Sequence, residues 1–188
     1  MKKTLAPATW FFPLPAIMVS CQEPGKKPNI ITLAWCGVVA SEPPMVSIGV
    51  RPGRYSHDMI LKSGEFVINF PNKKLVWAVD FCGHHSGRDV DKFKAAGLTP
   101  AKATKLKAPI IKECPVNLEC KVVGNLRFGT HSHILGEIVA MQCDEKVLDK
   151  KGRPDVDKLA PFAFFPGANQ YFSMGGLLGG YGFSKKKK

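Results

Sequence analysis

Residues 116–122, Val-Asn-Leu-Glu-Cys-Lys-Val, alternate apolar and polar side chains without a break, as a strand does when one face meets a core and the other meets water. Five other apolar runs, 16–21, 30–39, 45–50, 66–70 and 131–143, are rich in β-branched residues or Phe and are punctuated by Pro, Gly and Asn, which mark turns between strands. Six strands with few long amphipathic helices fold most economically into an antiparallel barrel, because closure removes exposed edges. The expected helices are short. Residues 56–62 open with Ser56 and an early Asp58 and stop before Gly64. Residues 73–81 carry Leu75, Val76, Trp77 and Val79, and a turn or two runs from Asp91 to Gly97.

The composition, 45% hydrophobic and 22% charged, suits one globular domain over residues 1–188. Four of the +12 formal charges lie in the run Lys185–Lys188, so residues 184–188 read as a solvated, flexible tail. The other cations, Lys102, Lys105 and Lys107 among them, are not interleaved with aromatics that could stack bases. An anionic small molecule accounts for the charge without nucleic acid. The six cysteines at 21, 36, 82, 114, 120 and 143 include no Cys-x-x-Cys pair and read as reduced thiols of a cytoplasmic protein. Met1 to Cys21 loosely resembles a lipoprotein signal, but Pro7, Pro13 and Pro15 interrupt its apolar segment. No run reaches the roughly 20 apolar residues of a membrane span.

Two chemistries compete in Phe81–Phe93, FCGHHSGRDVDKF. Cys82, His84 and His85 are good zinc ligands and His131 and His133, on one strand face, add two more, but adjacent histidines rarely both reach one ion and the spacing matches no common zinc pattern. The anion reading begins upstream. Arg51-Pro-Gly-Arg-Tyr-Ser56 sets two guanidiniums beside a helix start, where free N–H groups and the helix dipole favour a phosphate. If residues 29–35 form a strand, Asn29 and Trp35 share a face along about 20 Å, enough to meet both ends of an extended aromatic ligand. Solvated arginines, a Ser56 that caps its own helix and a core Trp35 are the plainer readings of the same residues.

Taken in order, Asn29-x-x-Thr32-x-Ala34-Trp35, Pro43-Pro44, Arg51-x-x-Arg54-x-Ser56, Gly64-Glu-Phe-Val-Ile-Asn69 and Ser86-Gly-x-x-x-Asp-Lys-Phe93 resemble the flavin reductase-like, FMN-binding split-barrel family, nearest to its flavoredoxins. The resemblance runs from about Pro15 to about Phe165. It implies a six-stranded antiparallel Greek-key split barrel with short flanking helices that dimerises and holds one FMN per subunit near the interface. It also implies that Ser56 and Arg51 take the phosphate, that Asn29, Thr32 and Lys92 hold polar parts, and that Trp35, His131 and Phe164 border the ring system. The implied activity is electron transfer through FMN, with NAD(P)H or a redox protein as donor or acceptor. No Gly-x-Gly-x-x-Gly fingerprint is present, so a nicotinamide has to lie over the flavin itself. A basic nucleic-acid-binding protein and a zinc protein are the alternatives.

Overall fold

The computed structural model describes residues 1–185. Strands β1 (Leu14–Pro15), β2 (Ile17–Cys21), β3 (Asn29–Leu33), β4 (Cys36–Ala40) and β5 (Met45–Val50) come first. Helix α1 (Tyr55–Ser63) leads to β6 (Glu65–Phe70), and helices α2 (Val76–His84) and α3 (Lys92–Ala95) lead to the short pair β7 (Pro100–Ala101) and β8 (Ile110–Ile111). The long strands β9 (Val116–Phe128) and β10 (His131–Cys143) precede helix α4 (Val156–Leu159), β11 (Phe162–Phe165) and β12 (Gln170–Ser173).

Seven strands pair antiparallel in the order β3-β2-β6-β9-β10-β5-β4. The consecutive strands β3 and β4 thus lie at opposite edges, although only Ala34 and Trp35 separate them. A two-residue link can join both edges only if the sheet curls until they face each other. The expected split barrel follows, with Trp35 at the split. Residues 30–39, expected as one strand, are two. The Cys36 N–H donates to Ala34 O at 3.0 Å in a tight turn, which redirects the chain onto β5 and raises the strand count from six to seven.

The barrel core joins Ile17, Val19, Ile31, Ile48, Phe66 and Ile134 with Met59 and Ile60, which α1 sets into it. A second cluster, with Met18 and Ile30 against Ala78, Val79 and Cys82, fixes α2 to the outside. β2 is buried along its whole length because both its faces are covered, and its one polar side chain, Ser20, is hydrogen-bonded to Asn69. Its last residue, Cys21, ends the stretch that resembles a lipoprotein signal and is fully buried in the sheet. A smaller sheet, β1-β11-β12, lies apart from the barrel strands. Its β11–β12 hairpin turns over Pro166–Asn169, where Gly167 and Asn169 take positive φ. Ser184 and Lys185 of the expected tail fall in a short 3₁₀ turn, Phe183–Lys185; Lys186–Lys188 lie outside the described residues.

The loop between β7 and β8 is held by a buried carboxylate. Glu119 accepts hydrogen bonds from Thr104 N and Oγ1, Lys105 N, Leu106 N and Gln142 Nε2, at 2.7–3.2 Å. Burial alone raises its pKa, but the donors outweigh burial and the net shift is downward. A depressed folded pKa contributes stability that is present above the unfolded value and is lost as pH falls through the folded one. Glu119→Gln is therefore expected to destabilise most at neutral pH. In urea titrations the gap to wild type should shrink as pH falls below the ordinary carboxylate range and close once it passes the depressed folded pKa, where the native carboxyl also becomes neutral.

Candidate functional site

Two cavities adjoin at the split, sharing Ile31, Arg54 and Gly83 as a common wall. The larger, about 390 Å³, is lined by Thr32, Leu33, Trp35, Gly49, Arg51, His131, Phe164 and Tyr171. The smaller, about 170 Å³, is lined by Asn29, Gly53, Ser56, Cys82, Ser86, Gly87, Arg88 and Lys92. Together they form one cleft with an aromatic end and a polar end, of a size typical for a small-molecule site. Asn29, Ile31, Leu33 and Trp35 all line it, so the shared face read from the sequence persists although the strand stops at Leu33.

The polar end is built from buried groups. Asn29 Nδ2 donates to Ser56 Oγ at 2.8 Å, and the two residues are 4% and 1% exposed. Ser56 is not the helix cap. The cap position is Arg54, with no side-chain cap bond, so the first-turn N–H groups lack the usual side-chain acceptor. Lys92, 4% exposed, donates from Nζ to Ile30 O and Cys82 O, both at 2.7 Å. An ammonium has three donors, so one remains for a ligand. Burial, with some help from the Arg54 charge, pulls the Lys92 ammonium down to about 8. Arg88 lies over the Tyr55 ring at 5.2 Å and closes the outer side.

The position of Gly87 fixes this end sterically. A Cβ placed there would lie 2.1 Å from Asn29 Oδ1, so only glycine lets the Ser86–Asp91 segment approach Asn29 so closely.

At the aromatic end, Trp35 stacks on His131, with ring centroids 5.9 Å apart and planes 8° from parallel. Burial, Arg51 and His133 lower the His131 pKa, which favours a neutral imidazole in the stack. Phe164 and Tyr171 of the β11–β12 hairpin also line this end, their rings 5.4 Å apart and tilted by 50°. The Thr32 hydroxyl lines the cleft but donates to Val79 O, so it also ties β3 to α2. Arg51 lies at the aromatic end, away from Ser56, and Arg54 stands at the junction of the two cavities. Among the described residues no Asp or Glu lines either cavity, whereas Arg51, Arg54, Arg88 and Lys92 do. That field suits an anion joined to an aromatic body.

The zinc constellation is dispersed. Cys82 is buried in α2 with its thiol pushed up to about 11 by burial. His84 is exposed, 3.6 Å from Asp80, and His133 bonds to Ser47 Oγ. Among the described residues no three His, Cys, Asp or Glu side chains gather as a metal site. Sequence reading missed Tyr171, Gly83 and Arg88. Only Tyr171 had a usable signal, the Pro166-Gly167 turn between two aromatic runs.

Residues 9–169 match the flavin reductase like domain family. The chain belongs to this family. Flavoredoxin of Desulfovibrio vulgaris (Miyazaki F) superposes with a TM-score of 0.93 at 32% identity, over 99% of this chain and 100% of that one. Flavoredoxin from Methanosarcina acetivorans gives 0.90 at 34% identity, over 99% and 98%. An uncharacterized protein of Archaeoglobus fulgidus is 34% identical over 132 residues, 70% of this chain and 73% of its own. Within the flavin reductase like domain, the cleft takes in the split of the barrel and most of the motifs quoted above.

Proposed function

We propose that this flavin reductase-like chain acts as one FMN-binding domain and moves electrons through an FMN held in the cleft. The observation that carries the reading is a cleft lined by no carboxylate among the described residues, in which Arg54, Arg88 and Lys92 line a polar pocket that opens onto an aromatic cavity carrying Arg51. The residues present fit the group. Ser56 Oγ, the first-turn N–H groups of α1, Arg54, Arg88 and the third Lys92 donor would hold the phosphate. Asn29 and Thr32 would border the chain between phosphate and ring, and Trp35, His131, Phe164 and Arg51 would border the ring. When bound, FMN supplies hydride acceptance and release of electrons singly or in pairs. The chain's own part is to bind, orient and shield, and its cations favour the more negative reduced form.

The donor read most naturally is NAD(P)H. The antiparallel barrel offers no dinucleotide crevice at the ends of parallel strands, so a nicotinamide would lie in the open aromatic end. A redox protein is the other candidate donor or acceptor. Homodimerisation is supported by Val38, Val39, Leu126 and Phe128, exposed apolar residues on β4 and β9. A cytoplasmic setting is supported by six free cysteines; among the described residues no helix is long and apolar enough to cross a membrane.

Anaerobic addition of NADH or NADPH to the FMN-loaded protein tests the activity. Bleaching by either nucleotide is the expected result, whereas flavin that neither one bleaches would leave an electron carrier without nicotinamide chemistry. Lys92 adds a pH dependence. A phosphate beside it raises its pKa above the free value of about 8. The affinity gained is present below that value and lost as pH rises through it. FMN titrations between about pH 7, where the phosphate is already a dianion, and about pH 10 should therefore show Kd flat up to about pH 8 and rising above it, and Lys92→Met should flatten that rise.

A further inference from the structure

The β11–β12 hairpin supplies one wall of the aromatic end, and its outer strand is lightly held. Gln170, Phe172 and Ser173 of β12 are exposed, while Tyr171 is half-buried against Phe162 and Phe164, with ring centroids 5.8 and 5.4 Å away. The Tyr171 hydroxyl crosses to α2 and donates to Asp80 Oδ1 at 3.2 Å. Among the described residues it is the one side-chain hydrogen bond that β12 makes. Burial first, then the Asp80 carboxylate, pushes the phenol up to about 12, so it remains a donor at neutral pH. α2 also carries Gly83, part of the wall shared by both cavities. The other aromatic pair of the cavity is different in kind. Trp35 and His131 belong to the barrel strands and their link, and the Gly49 N–H holds the Trp35 carbonyl at 2.6 Å.

We infer that Tyr171 is a positioning residue: through Asp80 it sets the spacing between a fixed and a tethered aromatic wall, so that flat aromatic redox partners reach the bound ring and bulky ones do not. The inference rests on the flavin reading of the cleft. Aromatic side chains contributed to one cavity by the barrel strands and by the hairpin favour a planar guest because stacking operates only at contact, and an octahedral guest needs the hairpin to move. One part-exposed hydrogen bond is a modest tether, so its removal shifts the open population without unfolding the hairpin.

The test uses wild type, Tyr171→Phe and Asp80→Asn, each loaded with FMN, reduced with dithionite and mixed anaerobically with one of two oxidants. A planar naphthoquinone takes two electrons and two protons and becomes its hydroquinone. Two equivalents of tris(phenanthroline)cobalt(III) take one electron each and become cobalt(II), the protons passing to solvent. Tyr171→Phe should speed the cobalt reaction by about fivefold and leave both the quinone rate and the FMN Kd within about twofold, as expected for one lost hydrogen bond. Asp80→Asn keeps an acceptor oxygen and should behave as wild type. In the apo proteins, amide exchange across Phe162–Phe165 and Gln170–Ser173 should rise in Tyr171→Phe alone. If all three bind FMN and share one cobalt-to-quinone rate ratio, the inference is overturned and the flavin reading stands. A wild-type protein that binds no FMN overturns both.

Discussion

Lys92→Ala is expected to weaken FMN binding by about 10–100-fold and to destabilise the apo protein by about 2–4 kcal/mol, the range for losing charge-assisted hydrogen bonds and leaving buried acceptors unpaired. The two losses have separate causes. Ile30 O and Cys82 O each accept from Nζ at 2.7 Å, and with alanine both carbonyls stay buried without that donor. These contacts join β3, α2 and α3, so urea denaturation of the apo protein reports the structural part. The third donor and the charge act on the ligand, and FMN fluorescence titration reports that part. Lys92→Arg is not expected to rescue either, because a planar fork does not reproduce the compact ammonium between two carbonyls. A loss of stability with unchanged FMN affinity would make Lys92 a clamp between elements and nothing more.

Gly87→Ala should reduce FMN affinity by about tenfold or more and cost roughly 1–3 kcal/mol, the usual penalty for overpacking a tight site. The added methyl would stand 2.1 Å from Asn29 Oδ1 and 2.5 Å from Asn29 Cγ. Either Asn29 gives way, releasing its bond to Ser56, or the Ser86–Asp91 segment lifts and carries Arg88 and Lys92 with it. Both outcomes disturb the polar end. The diagnostic is non-additivity. In an Asn29→Ala background the methyl has room, so the second change should add little. Equal costs in both backgrounds would show that Gly87 matters for its own backbone and not for Asn29.

The barrel was legible because its strands carry the right period. Met45–Val50 and His131–Cys143 occur as read, and strict alternation marked the start of β9. Its extension to Phe128 was hidden because Val123 and Gly124 interrupt the alternation before Leu126 and Phe128 resume it. The break at Ala34–Trp35 was hidden for a different reason. Neither residue is Gly or Pro, and what ends the strand is curvature of the whole sheet, a tertiary effect that overrides local preference. The same holds at the site. Asn29 and Trp35 were readable as a shared face, but the division between Arg51 at one end of the cleft and Arg54 at its junction depends on how α1 enters the barrel. Lys92 was readable as a cation near the cleft. Its burial between two carbonyls was not, because those come from Ile30 and Cys82, residues whose side chains say nothing of it.

The central claim is that the cleft takes FMN, and titration of the purified, flavin-free protein with FMN tests it most directly. The predicted result is saturable binding of one FMN per chain, with altered flavin fluorescence, and affinity that falls in Lys92→Ala and Gly87→Ala. A wild-type protein whose spectrum equals that of free FMN throughout the titration would contradict the account.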